Sequence, residues 1–264
     1  MKEIIKVQNL VKRYGHINVV DDISFTVGAG EVFAFLGPNG AGKSTTIKML
    51  TTLLRPTSGQ IFFDGKNTPA SSREVRRLFS IVFQDQSLDD ELTAWENMEF
   101  HGVLYGIKPR KLRHERIEEL LRFVELWDRK KSLVKEFSGG MKRRLEIARG
   151  LLHHPKLIFL DEPTLGLDPQ TRNHIWNYLL ELNKKDGTTI FFTTHYLEEA
   201  EKTADHIAVI DNGKIISSGT AQELMDNTKT ATLEEAFLSL TGKNIRDEAP
   251  DAFARIRMRR NAHH

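Results

Sequence analysis

The sequence predicts an α/β protein, and three observations carry that expectation. The apolar run EVFAFL (31–36) passes directly into the glycine-rich GPNGAGKSTT (37–46) and then into IKML, a strand–loop–helix pattern. In the second half, apolar runs of strand length (KLIFL, TTIFFTTH, HIAVI) alternate with patterns of helical period. Between these halves, residues 92–149 are charged and helical, with little strand character, and read as an inserted block.

The elements follow in order. IIKVQNLVKRYG and HINVVDDISFTVGAGE are β-rich segments broken by glycines, expected to form an antiparallel sheet beside the core. EVFAFL has the unbroken apolar character of a strand covered on both faces. SGQIFFDGK is a strand ending in a DG turn, and LFSIVFQ is a buried strand. LTAWENMEFHGVLYG, PRKLRHERIEELLRFVEL and GGMKRRLEIARGLL are helical, with Pro109 expected in the first turn of the second. KLIFL, PQTRNHIWNYLLELNKK, TTIFFTTH and YLEEAEKTA then read strand, helix, strand, helix. HIAVIDNGKIISSG is a hairpin about Asn212-Gly213. AQELMD and LEEAFLSLTG are short closing helices, and the charged tail 243–264, with IRMRR and His263-His264, is expected to be frayed.

Bulk properties narrow the function. The 264 residues carry 38 Lys and Arg against 36 Asp and Glu, and a net charge of +2 does not by itself suggest nucleic acid. Cysteine is absent, which excludes disulfides and thiolate metal sites. The opening MKEIIKVQNL is too polar for a signal peptide, and no apolar run reaches bilayer length. The expected place is the cytoplasm, with any membrane role depending on a partner.

Gly37, Gly42, Lys43 and Ser44 match G-x-x-x-x-G-K-[ST], the P-loop pattern. Loop N–H groups and the positive end of the following helix attract phosphate, so Gly37, Pro38, Asn39, Gly40, Ala41 and Gly42 form the expected cradle. Lys43 would reach the β- and γ-phosphates, Ser44 would hold Mg²⁺, and Thr45 and Thr46 would add hydroxyl contacts. LIFLDEP delivers Asp161 and Glu162 to a strand end, where α/β ligands bind. Asp161 is the expected metal-side carboxylate and Glu162 the general base. His195 ends another apolar strand. A lone histidine there serves as a cap or a satisfied hydrogen bonder, but among these strand ends it reads as a contact to the γ-phosphate or the water. Gln84, after LFSIVF, can orient water or approach Mg²⁺ without adding charge. In FSGGM, Ser138 can cap a helix while Gly139 and Gly140 open its N–H groups. Taken locally, this is an ordinary N-cap with a glycine-rich turn. As a second phosphate reader it is surplus within one chain, but not across a two-fold dimer.

The set resembles the ATP-binding subunit of ABC transporters, over nearly the whole chain to about Gly242. GPNGAGKST is similar to Walker A, Gln84 to the Q-loop, FSGGM to the signature, LIFLDEP to Walker B, LGLD with Asp168 to the D-loop, and His195 to the H-loop. Tyr14 looks like the aromatic that stacks on adenine. The resemblance implies a RecA-like P-loop ATPase core, an antiparallel β subdomain and an inserted α-helical subdomain at about 85–150, within a nucleotide-binding domain at 1–242. It also implies a head-to-tail homodimer with two sandwiched MgATP, an integral membrane permease subunit, and a peripheral position on the cytoplasmic face of the membrane. Phe137 and Met141 depart from the usual LSGGQ, and Met141 removes a polar side chain beside the opposing nucleotide. EFSGGMKRRLEIARGLL and DEPTLGLDPQTR look most like drug, lipid and polysaccharide exporters of the daunorubicin-resistance type.

Three rival readings fit less of the chain. NKKD (183–186) matches the guanine-reading N-K-x-D, but it follows an amphipathic helix rather than closing a strand. A non-transport ABC ATPase acting on DNA or the ribosome should bring a long coiled coil or a second cassette. A P-loop kinase should bring an acceptor pocket or lid.

Overall fold

The computed structural model describes residues 2–68 and 73–242. The tail 243–264 lies outside the described residues. The chain divides into two compact units. The described residues of one fall within 5–27, 33–70 and 193–242; those of the other fall within 2–4, 28–32 and 73–192.

The first unit holds two sets of strands. β1 (Glu3–Tyr14), β2 (Ile17–Gly28), β4 (Ser58–Phe63) and β5 (Lys66–Asn67) lie in the order β2-β1-β4-β5. β1–β4 and β4–β5 are antiparallel, and the Asp64-Gly65 turn closes the β4–β5 hairpin with positive φ at both residues. In the other set, β10 (Lys214–Gly219), β9 (His206–Asp211) and β3 (Val32–Leu36) are neighbours. β3 runs parallel to β9, from Phe33 opposite His206 to Leu36 opposite Val209. All five residues of β3 are buried, which accounts for its unbroken apolar sequence. Phe25 packs on both Phe33 and Phe35 with ring centroids 5.7 Å apart, and each of those two fully buried rings contributes about 1.5–3 kcal/mol. α1 (Lys43–Leu50) leaves β3 through the glycine loop and buries Ile47, Met49 and Leu50. α7 (Leu197–Thr203), α8 (Ala221–Thr228) and α9 (Leu233–Thr241) complete this unit.

The second unit pairs β6 (Phe79–Val82) with β7 (Leu157–Asp161) in parallel, and β7 neighbours β8 (Thr189–Thr194), whose first four residues belong here. α2 (Arg73–Arg76) precedes β6. The charged block forms α3 (Ala94–Leu104), α4 (Arg110–Phe123) and α5 (Gly139–Gly150), which pack on one another. Thr93 and Glu96 close a capping box at the start of α3. Glu99 of α3 grips Arg113 of α4 with two bonds of 2.6 and 2.9 Å. Pro109 stands at the N-cap of α4 rather than inside its first turn, a one-residue difference in where the helix begins. α6 (Pro169–Asp186) ends at Gly187 in the left-handed region. Within its last turn Asn183 donates from Nδ2 to the carbonyls of Gly30 and Thr188, at 2.8 and 2.9 Å. That asparagine ties the helix end to two loops, so the NKKD match reads no base.

Candidate nucleotide-binding and hydrolysis site

The phosphate cradle is built in the first unit. β3 is buried to its last residue, and the chain must then pass close to β9. A Cβ on Gly37 would stand 2.3 Å from the Ile210 carbonyl oxygen, so only glycine passes. Gly40 and Gly42 turn the loop at φ +79° and +111°, where side chains strain the backbone. The Ala41 N–H donates to the Pro38 carbonyl at 3.2 Å, and the Gly213 N–H of the β9–β10 turn donates to Ala41 at 2.9 Å. Gly42 caps α1 without a side chain over the first helical N–H groups. Lys43 is buried, and its ammonium donates to the carbonyls of Gly37 (2.6 Å) and Pro38 (3.3 Å). A glycine-rich loop that opens onto uncapped helical N–H groups, with a cation seated on its carbonyls, fits an anionic phosphate.

Ser44 is exposed in the first turn of α1 and Thr45 is half-buried. Thr46 differs from expectation. It is fully buried, and its hydroxyl donates back to the Gly42 carbonyl at 2.9 Å, the i−4 bond open to any helical threonine. Tyr14, the last residue of β1, is half-buried with the Lys12 ammonium 5.2 Å from its ring centroid, and burial pushes its hydroxyl pKa up. His195 follows the last residue of β8, is exposed, and lies 4.2 Å from the ring of Tyr196.

The acidic residues belong to the second unit. All of β7 is buried, so Asp161 and Glu162 arrive at the end of an apolar strand with both side chains largely removed from water. Glu162 sits at φ +50°, a left-handed conformation that a non-glycine residue keeps only where its surroundings hold it. Gln84, two residues past β6, is exposed.

The starts of α5, at Ser138, and of α6, at Asp168, come together in this unit. Ser138 caps α5 by accepting from the Met141 N–H at 3.3 Å, with Gly139 and Gly140 as the first helical residues. Asp168 caps α6, accepting from the Thr171 N–H (2.9 Å) and hydroxyl (2.6 Å), and the hydroxyl bond is the larger cause holding its carboxyl below the usual range. A Cβ on Gly140 would meet Thr171 Cγ2 at 2.5 Å, so the bare glycine lets the two helix starts approach. They border a cleft of about 340 Å³, lined by Ser138, Gly140, Met141, Arg144, Asp168 and His174 among others. Met141 therefore lines the same cleft as Asp168.

Sequence reasoning missed a set of charged residues one turn further along α5. Arg143, Glu146 and Arg149 are buried at spacing i, i+3, i+6. Arg143 donates to the carbonyls of Phe83 (2.5 Å), Gln84 (3.4 Å) and Glu162 (3.3 Å) and to Glu146 at 3.1 Å. Burial lowers its pKa, against the attraction of Glu146 and Asp161. Glu146 accepts from the Ser87 N–H (2.7 Å) and hydroxyl (3.2 Å), and Arg149 donates to the Ser87 carbonyl (2.8 Å) and hydroxyl. The available signal was R-x-x-E-x-x-R interleaved with Leu145, Ile147 and Ala148, because charges on a buried helix face must be paired.

Among the described residues no group of three or more His, Asp and Glu could hold a metal ion. Ser44, Gln84 and Asp161 offer hydroxyl, amide and carboxylate oxygens. That is the hard-oxygen chemistry of Mg²⁺, which keeps several waters and takes the rest of its shell from phosphate. No helix of the described residues is long and apolar enough to cross a membrane.

Comparison with known proteins adds an independent line. The family described as "ABC transporter" matches residues 20–165. The daunorubicin/doxorubicin resistance ATP-binding protein DrrA of Streptomyces peucetius is 46% identical over 83% of this chain, and the match takes in 66% of that protein's length. The Nod factor export ATP-binding protein I of Cupriavidus metallidurans is 41% identical over 90% of this chain and 78% of its own. A solved structure of an ATP-binding cassette, a dimer in a post-hydrolysis state bound to ADP and Pi, superposes with a TM-score of 0.74 at 29% identity, covering 82% of this chain and 98% of its own.

Proposed function

The chain belongs to the ABC transporter family as an ATP-binding subunit, and on that premise we propose that two copies close head-to-tail around two ATP and drive an exporter through a separate membrane subunit. The observation that carries the dimer is the open start of α5. Its capped N-terminus faces a cleft beside Asp168, while a complete phosphate cradle already exists at the start of α1. One nucleotide needs one cradle, so the second helix start is free to read the γ-phosphate held by the other copy. The dimeric relative bound to ADP and Pi supports a working dimer.

In this mechanism Tyr14 stacks on adenine. The Lys43 ammonium leaves the carbonyls of Gly37 and Pro38 for the β- and γ-phosphates, exchanging neutral acceptors for charged ones. Ser138, Gly139 and Gly140 of the second copy approach the γ-phosphate, and Asp168 couples the two sites. Glu162 takes the proton of the attacking water, and His195 holds the phosphate in line. Ser44, Gln84 and Asp161 would hold Mg²⁺, which when bound neutralises charge on the phosphate oxygens. These roles rest on the motif set and on family membership.

The docking surface for a short helix of the membrane subunit is assigned to residues 84–100 and the adjoining part of α3. Phe100, Val103 and Leu104 are 57–68% exposed there, unusual for large apolar side chains. Trp95 belongs less to this surface than to a packed cluster, with its ring 5.0 Å from His114 and 6.3 Å from Trp127. Relatives named for drug resistance and Nod factor export support outward transport of a drug, lipid or polysaccharide. On this reading the protein works at the cytoplasmic face of the membrane.

The test is Glu162→Gln with ATP on a sizing column. Loss of the base with shape retained should trap the dimer. A variant that stays monomeric and hydrolyses ATP like the parent removes Glu162 from the role of base. Purification from detergent should bring an integral membrane protein with it, and recovery of ribosomes or DNA instead would overturn the transport reading.

A further inference from the structure

We infer that Arg143 is a positioning residue for hydrolysis, holding the backbone of Glu162 and of the Gln84 segment in register with the signature helix. The inference rests on the role proposed for Glu162 and concerns a residue to which the proposed mechanism gives no part.

The geometry is specific. One guanidinium, carried a turn beyond the Ser138-Gly139-Gly140 tip, donates to the Glu162 carbonyl on one side and to the Phe83 and Gln84 carbonyls on the other. The Phe83 bond is the shortest at 2.5 Å, and the Gln84 and Glu162 bonds are longer at 3.4 and 3.3 Å. Glu162 is the residue here that needs holding. At φ +50° its peptide is strained, and the carbonyl bonded by Arg143 also accepts from the Leu165 N–H at 3.2 Å. Glu146 fixes the guanidinium from the same helix and, with Arg149, clamps Ser87. The segment 83–87 is thus held at four backbone atoms by three side chains of α5. Rotation of α5 about its axis would move the Glu162 peptide and the Gln84 segment together. A lysine keeps the charge beside Glu146 but lacks the planar fork that reaches three carbonyls.

The experiment compares Arg143→Lys in the parent and in Glu162→Gln, using single-turnover and steady-state ATP hydrolysis. In the parent, kcat should fall about tenfold to a hundredfold, the effect of a base displaced by a fraction of an ångström to about 1 Å. KM for ATP should stay within about twofold, because the cradle is untouched. In Glu162→Gln the same substitution should change the rate little, since the group it positions is already gone. Ser87→Ala, which removes two hydroxyl bonds and leaves the Ser87 backbone bonds in place, should show a smaller fall with the same KM. It keeps the idea testable if Arg143→Lys folds poorly. An unchanged kcat in folded Arg143→Lys, or an equal fold-loss in both backgrounds, overturns the inference and leaves the proposed function standing. A Glu162→Gln protein as fast as the parent overturns the assignment of the base, and this inference with it.

Discussion

The three glycines of the phosphate loop should tolerate alanine to very different degrees, and the structure ranks them. At Gly40 a Cβ meets nothing within 4 Å, so the only cost is φ +79°. A left-handed non-glycine residue costs about 1–2 kcal/mol. At Gly37 the conformation is ordinary, but the Cβ would stand 2.3 Å from the carbonyl oxygen of Ile210 and 2.8 Å from its Cγ2. That carbonyl belongs to β9, a buried strand, and relief requires moving the strand; overpacking of this kind costs about 1–3 kcal/mol, and the upper end applies. Gly42 combines both, with φ +111° and a Cβ 2.7 Å from the Val19 carbonyl oxygen, so its loss should reach about 3–5 kcal/mol. The order Gly42 ≥ Gly37 > Gly40 should appear in urea unfolding without nucleotide, where phosphate contacts play no part. At about 2–4 °C per kcal/mol for a chain of this size, melting temperatures should separate the extremes by several degrees. Equal losses at all three sites, or a Gly40→Ala variant worse than Gly37→Ala, would refute the steric reasoning.

Two further outcomes are expected. His101 is held neutral, its pKa pulled from 6.5 to about 4 by burial first and by Arg149 second. Because the folded value is depressed, its contribution is complete above pH 6.5 and is lost as pH falls toward 4. Between pH 7 and 5 the parent should lose about 1–2 kcal/mol from this group, fewer if solvent screens it, and His101→Gln should flatten the slope. His153, also lowered by burial, supplies a slope that remains; an unchanged slope in His101→Gln would contradict the assignment. Tyr14→Ala should weaken ATP binding about 5- to 100-fold, the range for one lost base stack, and Tyr14→Phe should restore it. Calorimetric titration showing parent affinity in Tyr14→Ala would place adenine elsewhere.

Local patterns were legible in the sequence because they are enforced over a few residues. EVFAFL had to be a covered strand, Asn212-Gly213 a hairpin turn, and Ser138 a helix cap, and each is found so. The glycine loop was equally readable, since close approach and positive φ leave little choice of residue. Where a side chain had two local options, the pattern failed to choose. Thr46 was expected to face phosphate, yet its hydroxyl bonds back along its own helix.

What the sequence determined by itself was the order of strands and helices, the family, and the glycine loop between β3 and α1, because hydrophobic period and motif spacing act at short range. Tertiary structure alone decided that Arg143 bridges Phe83 and Glu162, that Glu146 and Arg149 clamp Ser87, and that Met141 shares a cleft with Asp168. Arg143 and Phe83 are 60 residues apart in the chain. No local rule selects among the many carbonyls a buried guanidinium might reach. Packing of α5 selects them, because a charge taken out of water must find its partners wherever the fold has brought them.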